Sequence, residues 1–192
     1  MSGGEAVLTA PSSRWRVEVQ QEVSPAEVEE FWPLYESAFG PLRTLAASRQ
    51  VLTREEFTAE MVDPRVDKHV ARGPDGQPVG LTTLTRDLTT VPWISPEYFA
   101  ARFPEHAARD AIFYLGFTLV RPDVKGSTVF GEMISSCLVE FIRARGVCGY
   151  DVCAYNDDVL RMDTMIRRTM AARTTVRHER LDAQTYYCVD VA

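Results

Sequence analysis

Hydrophobic positions along the chain change period several times, and each change marks an element. Trp15 to Val23 (W-R-V-E-V-Q-Q-E-V) opens by alternating apolar and polar residues, as a strand with one buried and one wet face does. The period then lengthens. Ser24-Pro25-Ala26-Glu27 supplies a capping serine, a proline at the first helical position and the glutamate of a capping box. Val28, Phe31, Trp32, Tyr35, Ala38 and Phe39 follow on one helical side, with Pro33 expected to kink the helix and Gly40-Pro41 to end it. Thr53 with Glu56 repeats the capping box, Phe57 and Met61 continue a buried face, and Asp63-Pro64 closes that helix. Leu42 to Leu52 is expected to hold another short helix.

Period two returns in Lys68 to Arg72 and in Pro78 to Arg86, separated by Gly73-Pro74-Asp75-Gly76, which predicts an antiparallel hairpin. Asp87 to Asp110 is too long for a hairpin loop, so it is expected to carry structure of its own. Ser95-Pro96-Glu97 starts a helix there, Tyr98, Phe99 and Phe103 give it an aromatic side, and Pro104 ends it. Ala111 to Leu119 (A-I-F-Y-L-G-F-T-L) reads as a buried strand, which must leave the sheet before Pro122 because proline has no amide to donate. From about Val129, the residues Phe130, Met133, Ile134, Cys137, Leu138, Phe141 and Ile142 make one apolar helical face, ended by Gly146. Cys148 to Tyr155 predicts a fifth strand, and Asn156-Asp157-Asp158 a following helix with Val159, Met162, Met165 and Ile166 on one side. Thr174 to Leu181 and Thr185 to Val191, around Asp182-Ala183-Gln184, predict a closing hairpin.

Composition changes this picture little. The chain has 192 residues, 45% hydrophobic and 25% charged, as expected of one globular domain spanning residues 14 to 192. Residues 1 to 13 read as a disordered tail without the basic start and apolar run of a signal peptide. A net charge of −6 argues against nucleic acid as a partner. No stretch has the length of a membrane span, so a cytoplasmic protein is expected. Cys137, Cys148, Cys153 and Cys188 lack the spacing of a zinc site and read as reduced thiols, so no metal is expected.

The chemistry concentrates between strand and helix at Val120 to Gly131 (V-R-P-D-V-K-G-S-T-V-F-G). A short glycine-containing turn running into a helix leaves the first backbone amides of the helix unpaired and aimed outward, where an anion can be held. Lys125 is one of only two lysines among 21 basic residues. The turn lacks the G-x-G-x-x-G of a Rossmann-type nucleotide site.

This stretch resembles the coenzyme A binding motif of the GNAT acyltransferases, V-x-P-x-x-[RQ]-G-x-G-[IVA]-[GA]. Val120, Pro122, Lys125, Gly126 and Val129 match, with lysine for the usual Arg or Gln, while Thr128 and Phe130 stand where that family has glycine or a small residue. The order of predicted elements is similar too. The resemblance implies an α/β (α+β) fold with a mixed central sheet of six to seven strands and helices on both faces, interrupted by the 87–110 insertion. It also implies transfer of an acyl group from acetyl-coenzyme A or another acyl-coenzyme A to the amine of a small molecule or peptide by direct attack. The amides of Gly126, Ser127, Thr128, Val129, Phe130 and Gly131, with Lys125, would then hold the pyrophosphate. Leu119 and Val120 would pair with the pantetheine arm, and Asn156 would contact it.

For the catalytic proton transfers the sequence offers Asp110 and Tyr114 as candidates. Asp163 stands where the family often has a tyrosine that protonates the departing thiolate. Phe31, Tyr35, Trp93, Tyr98 and Phe103 are the expected substrate-pocket residues, the last three as a roof formed by the insertion. The alternative for the insertion, an added helix on the sheet edge or a homodimer contact, stays open. Two other functions also stay open: an acyltransferase served by carrier-protein pantetheine, and a non-catalytic binding protein that keeps the fold.

Overall fold

A computed structural model of the protein describes residues 14 to 191; the expected N-terminal tail lies outside the described residues. Strand β1 (Arg16–Gln20) leads to helices α1 (Pro25–Phe39), α2 (Leu42–Leu45) and α3 (Arg54–Val62), then to strands β2 (Val66–Arg72) and β3 (Pro78–Thr85). The insertion folds as a 3₁₀ turn, Leu88–Thr90, followed by α4 (Pro96–Arg102) and α5 (Pro104–Ala107). Strand β4 (Ile112–Val120), helix α6 (Val129–Arg143), strand β5 (Val147–Gly149) and helices α7 (Ala154–Asp158) and α8 (Met162–Ala171) complete the order.

The local signals act as their chemistry predicts. The Ser24 hydroxyl accepts from the Glu27 amide while Glu27 reaches back to the Ser24 amide, and Thr53 with Glu56 does the same at α3. Helix α1 runs on through Pro33 to Phe39. Ser95 caps α4, with Pro96 in its first turn.

The strands form one sheet in the order β1-β2-β3-β4-β5, antiparallel except for the parallel pair β4–β5. Helices α1 and α3 cover one face over a core of Phe31, Tyr35, Phe57, Met61, Val70, Leu81 and Leu119. Helices α6 and α8 cover the other, over Leu84, Phe113, Leu115, Ile134, Leu138 and Ile166. This three-layer arrangement is the mixed α/β architecture expected, with five strands in place of six to seven. The two missing strands are those of the closing hairpin. Residues 175 to 191 form no ladder; Val176 and Leu181 pack against the body, while Tyr187, Val189 and Val191 point into solvent. Alternating β-branched and aromatic residues describe what fits a pleated surface, but a strand exists only where a partner edge accepts its amides. Strand β5 is also shorter than Cys148 to Tyr155, because the chain turns away from β4 after Gly149.

Candidate active site

Two irregularities of β4 shape the centre of the molecule. The first is a β-bulge. Thr82 pairs with Thr118 but Leu84 pairs with Leu115, so Gly116 and Phe117 together stand opposite Thr83. The second is a split. Pairing with β5 stops at Tyr114 and Gly149, while β4 runs on to Val120 with no strand partner on that side among the described residues. The β5-side edge of residues 116 to 120 is therefore without a strand partner among the described residues, and that edge leads to the turn before α6.

In that turn Pro122–Val124 makes a 3₁₀ segment and Gly126 takes φ +83°, a left-handed conformation that glycine adopts without strain. The Ser127 amide is used by the Val124 carbonyl and the Val129 amide by the Ser127 hydroxyl. The amides of Gly126, Thr128, Phe130 and Gly131 have no protein acceptor among the described residues. Lys125 to Thr128 are exposed. Phe130 does not close this mouth, because its side chain packs with the core beneath α6 and α8. Gly131 faces Thr169 of α8. The departures at Thr128 and Phe130 thus leave the amides of the turn open.

Asn156 is 9% exposed and has no hydrogen-bond partner among the described residues. It does not cap the helix it begins, since the N-cap of α7 is Cys153. The unpaired amides at the loop fit a phosphate group such as those of coenzyme A.

On the α3 face of the bulge lies a carboxylate that sequence reasoning missed. Glu60 sits over the row formed by Lys68, Thr83 and the bulge, and its pKa is pushed up to about 6. Burial is the main cause; the Thr83 hydroxyl and the Lys68 ammonium oppose it, and Asp63 reinforces it. A Cβ on Gly116 would collide with Thr83 Oγ1 and come 3.7 Å from Glu60 Oε1, so all three residues converge on one point. Thr83 Oγ1 itself is buried and faces this carboxylate. A void of about 10 Å³, lined by Glu60, Thr83, Trp93, Tyr114 and Gly116 among others, lies there. Helical spacing carries a faint signal for Glu60: it follows Phe57 by three residues and precedes Met61 by one, at the border of the buried face.

Tyr114 is the one catalytic candidate from the sequence that lies in this cluster. Its hydroxyl donates to Asp151 Oδ1 at 2.5 Å, and burial, then the Asp151 charge, pushes its pKa up, so it remains a proton-bearing donor. Trp93 Nε1 donates to the same oxygen at 3.1 Å and lines the void, which brings one residue of the insertion to the site. Asp151 was not foreseen, because nothing in sequence marks the residue at which β5 leaves β4.

The remaining expectations are corrected. Asp110 lies two residues before β4, on a separate cleft of about 470 Å³ with Arg65, Arg86 and Asp87, which includes no residue of the turn before α6. Phe31 and Tyr35 are core residues at most 1% exposed, the Tyr35 hydroxyl accepting from the Leu52 amide, so they pack rather than line a pocket. Tyr98 donates to the Leu181 carbonyl, and Phe103 packs beside His106 and the Leu88–Tyr114 core; neither roofs the void. Asp163 accepts from Tyr150 at 2.7 Å and pairs with Arg167 at 3.0 Å and His178 at 2.9 Å. Burial pushes its pKa up, but these partners outweigh that and hold it below the usual value, as a fixed anion.

No protein-family model and no curated protein matches the chain in sequence. Solved structures match it in fold. An aminoglycoside acetyltransferase from an uncultured soil metagenomic sample, in complex with sisomicin, is 11% identical with a TM-score of 0.52, over 92% of this chain and 97% of that one. The ribosomal-protein-alanine N-acetyltransferase from Brucella melitensis biovar Abortus 2308 is 13% identical with a TM-score of 0.53, over 90% and 99%. A transcriptional regulator from Bacillus halodurans C-125 is 12% identical with a TM-score of 0.50, over 88% and 100%. The chain has the fold of the GNAT acetyltransferases. At these identities it is the fold that is shared.

Proposed function

We propose that the protein is an acyl-coenzyme A-dependent N-acyltransferase, most simply an N-acetyltransferase. The observation that carries the reading is the split: β4 continues past its last pairing with β5 to a turn whose amides are unpaired. The strand-free edge of β4 at Leu119 and Val120 can accept an extended amide-bearing arm as if it were a strand. Asn156 supplies a further contact from α7. Lys125 with the amides of Gly126, Thr128, Phe130 and Gly131 holds the diphosphate.

Glu60 is the general base. A pKa of about 6 leaves it ionised at neutral pH yet basic enough to take the proton an ammonium must lose. Acyl coenzyme A would supply the thioester, whose C–S bond breaks as the new C–N bond forms, releasing free thiol. Tyr114 remains protonated at the mouth of the split and is the proton donor for the departing sulfur. The Trp93 and Asp151 contacts fix Tyr114 in place.

Calorimetry with acetyl-coenzyme A, coenzyme A and pantetheine tests the first part. Binding that weakens by at least tenfold on trimming to pantetheine supports the diphosphate contacts. Equal binding favours a carrier-linked donor, and absence of binding favours a non-catalytic module. Thiol release on adding an amine then tests turnover; coenzyme A binding with no release from any of a broad amine panel would overturn the enzyme reading.

A further inference from the structure

The cleft beside Asp110 shares no lining residue with the turn before α6 or with the Glu60 cluster, and it has a chemistry of its own. We infer that it binds a free α-amino acid with an apolar side chain, the ligand's carboxylate on Arg86 and its ammonium on Asp110; this goes beyond the acyltransferase reading and does not rest on it. The space admits such a ligand. A volume of about 470 Å³ lies within the range of small-molecule sites.

Four charged side chains line the cleft, and two of them neutralise each other. Arg65 gives Nε and Nη2 to Asp63 and Nη1 to Asp87 at 3.1 Å, while the other oxygen of Asp87 accepts from the Thr89 hydroxyl. Arg86 and Asp110 are different. The Arg86 guanidinium lies 4.6 Å over the Phe113 ring, and Glu140 approaches its Nη2 only to 3.8 Å, beyond hydrogen-bond distance. Neither Arg86 nor Asp110 has a side-chain hydrogen bond among the described residues, and they do not pair with each other within 4.0 Å. Nor are they far apart. Three residues of chain, at most about 11 Å, separate Asp110 from the Phe113 that Arg86 covers. An α-amino acid carries both charges on one carbon, so with a hydrogen bond at each end it bridges groups about 8 Å apart, inside that window.

The rest of the wall is apolar, formed by Leu88, Pro96, Ala107 and Ile112, and suits an aliphatic or aromatic side chain. A simple anion would satisfy Arg86 and be repelled by Asp110, and a simple cation the reverse; a ligand bearing both charges answers both. Both groups are also held. Asp110 takes a left-handed φ of +52°, its amide on the Ala107 carbonyl at 3.2 Å and the next amide on the His106 carbonyl at 2.9 Å. Arg86 is steadied by its stacking on Phe113.

Calorimetry at neutral pH, without coenzyme A, compares leucine with 4-methylpentanoate, which lacks the ammonium, and with 3-methylbutylamine, which lacks the carboxylate. The proteins are the wild type, Arg86→Gln and Asp110→Asn. Asparagine accepts the left-handed backbone of residue 110, so that variant loses the charge and keeps the local conformation. Leucine is expected to bind the wild type at least about tenfold more tightly than either analogue. Arg86→Gln should erase its advantage over 3-methylbutylamine, and Asp110→Asn its advantage over 4-methylpentanoate. Circular dichroism checks that both variants are folded; should Arg86→Gln unfold, Asp110→Asn alone decides. No saturable binding of leucine, alanine or phenylalanine to the wild type overturns the inference. So does binding that neither variant weakens, which would put the amino acid elsewhere on the protein.

Discussion

Gly116 and Thr83 occupy the same small volume: a side chain of even one carbon on Gly116 would collide with Thr83 Oγ1, and Glu60 Oε1 is the next atom beyond. The bulge in β4 creates this closeness by setting two residues against one.

Gly116→Ala is therefore expected to destabilise the protein by about 1–3 kcal/mol. Thr83 is buried and β-branched, so its side chain has little freedom to rotate the hydroxyl away. Thr83→Ala should relieve part of the cost. Urea unfolding of both single variants and the double variant checks this, and an additive double variant would contradict the collision.

Glu60→Gln should lower kcat about a hundredfold while leaving acetyl-coenzyme A binding unchanged. In the wild type, kcat/KM should fall about tenfold for each pH unit below about 6. Stability moves the other way. The folded pKa exceeds the ordinary value of 4.5, so the native state keeps a proton that the unfolded chain has lost, and this contribution disappears as pH rises from about 4.5 to about 6. At pH 7 the native state bears the cost of a buried carboxylate. The glutamine variant should be more stable there by about 1 kcal/mol, a figure reduced because the side chain reaches solvent.

His69 is fully buried, with Nδ1 2.8 Å from Ser136 Oγ and Nε2 unpartnered, and burial lowers its pKa to about 4. Its folded pKa is depressed below 6.5, so the stability it contributes is present above pH 6.5 and is lost as pH falls toward 4, up to about 3 kcal/mol. His69→Gln should flatten this acid limb in urea unfolding measured between pH 7 and pH 4.5.

Gly126→Ala meets no atom within 4 Å, so its cost is conformational only, about 1 kcal/mol for a left-handed residue. If the turn holds a diphosphate, the variant should weaken coenzyme A binding several-fold and leave pantetheine binding unchanged. Equal weakening of both would show that the turn acts on the arm instead.

What the sequence determined by itself is what depends on near neighbours. Capping boxes at Ser24 and Thr53, the helical start at Ser95-Pro96, the exit of β4 before Pro122 and the apolar face of α6 are each set by residues within a turn or two. The order of elements from β1 to α6 and the glycine-containing turn before α6 were legible for the same reason. Only the tertiary structure decided which carboxylate is buried beside the bulge of β4. Asp110 falls two residues before β4, on a separate cleft, while Glu60 comes from a helix more than fifty residues earlier in sequence than Gly116. The raised pKa of Glu60 comes from its burial, and the neighbours that shape it include Thr83 and Lys68 from other strands, a combination no local pattern contains. The same holds at the chain's end. The run T-Y-Y-C-V-D-V has strand-like residues, but strand formation needs an accepting edge, and the fold does not bring one to it.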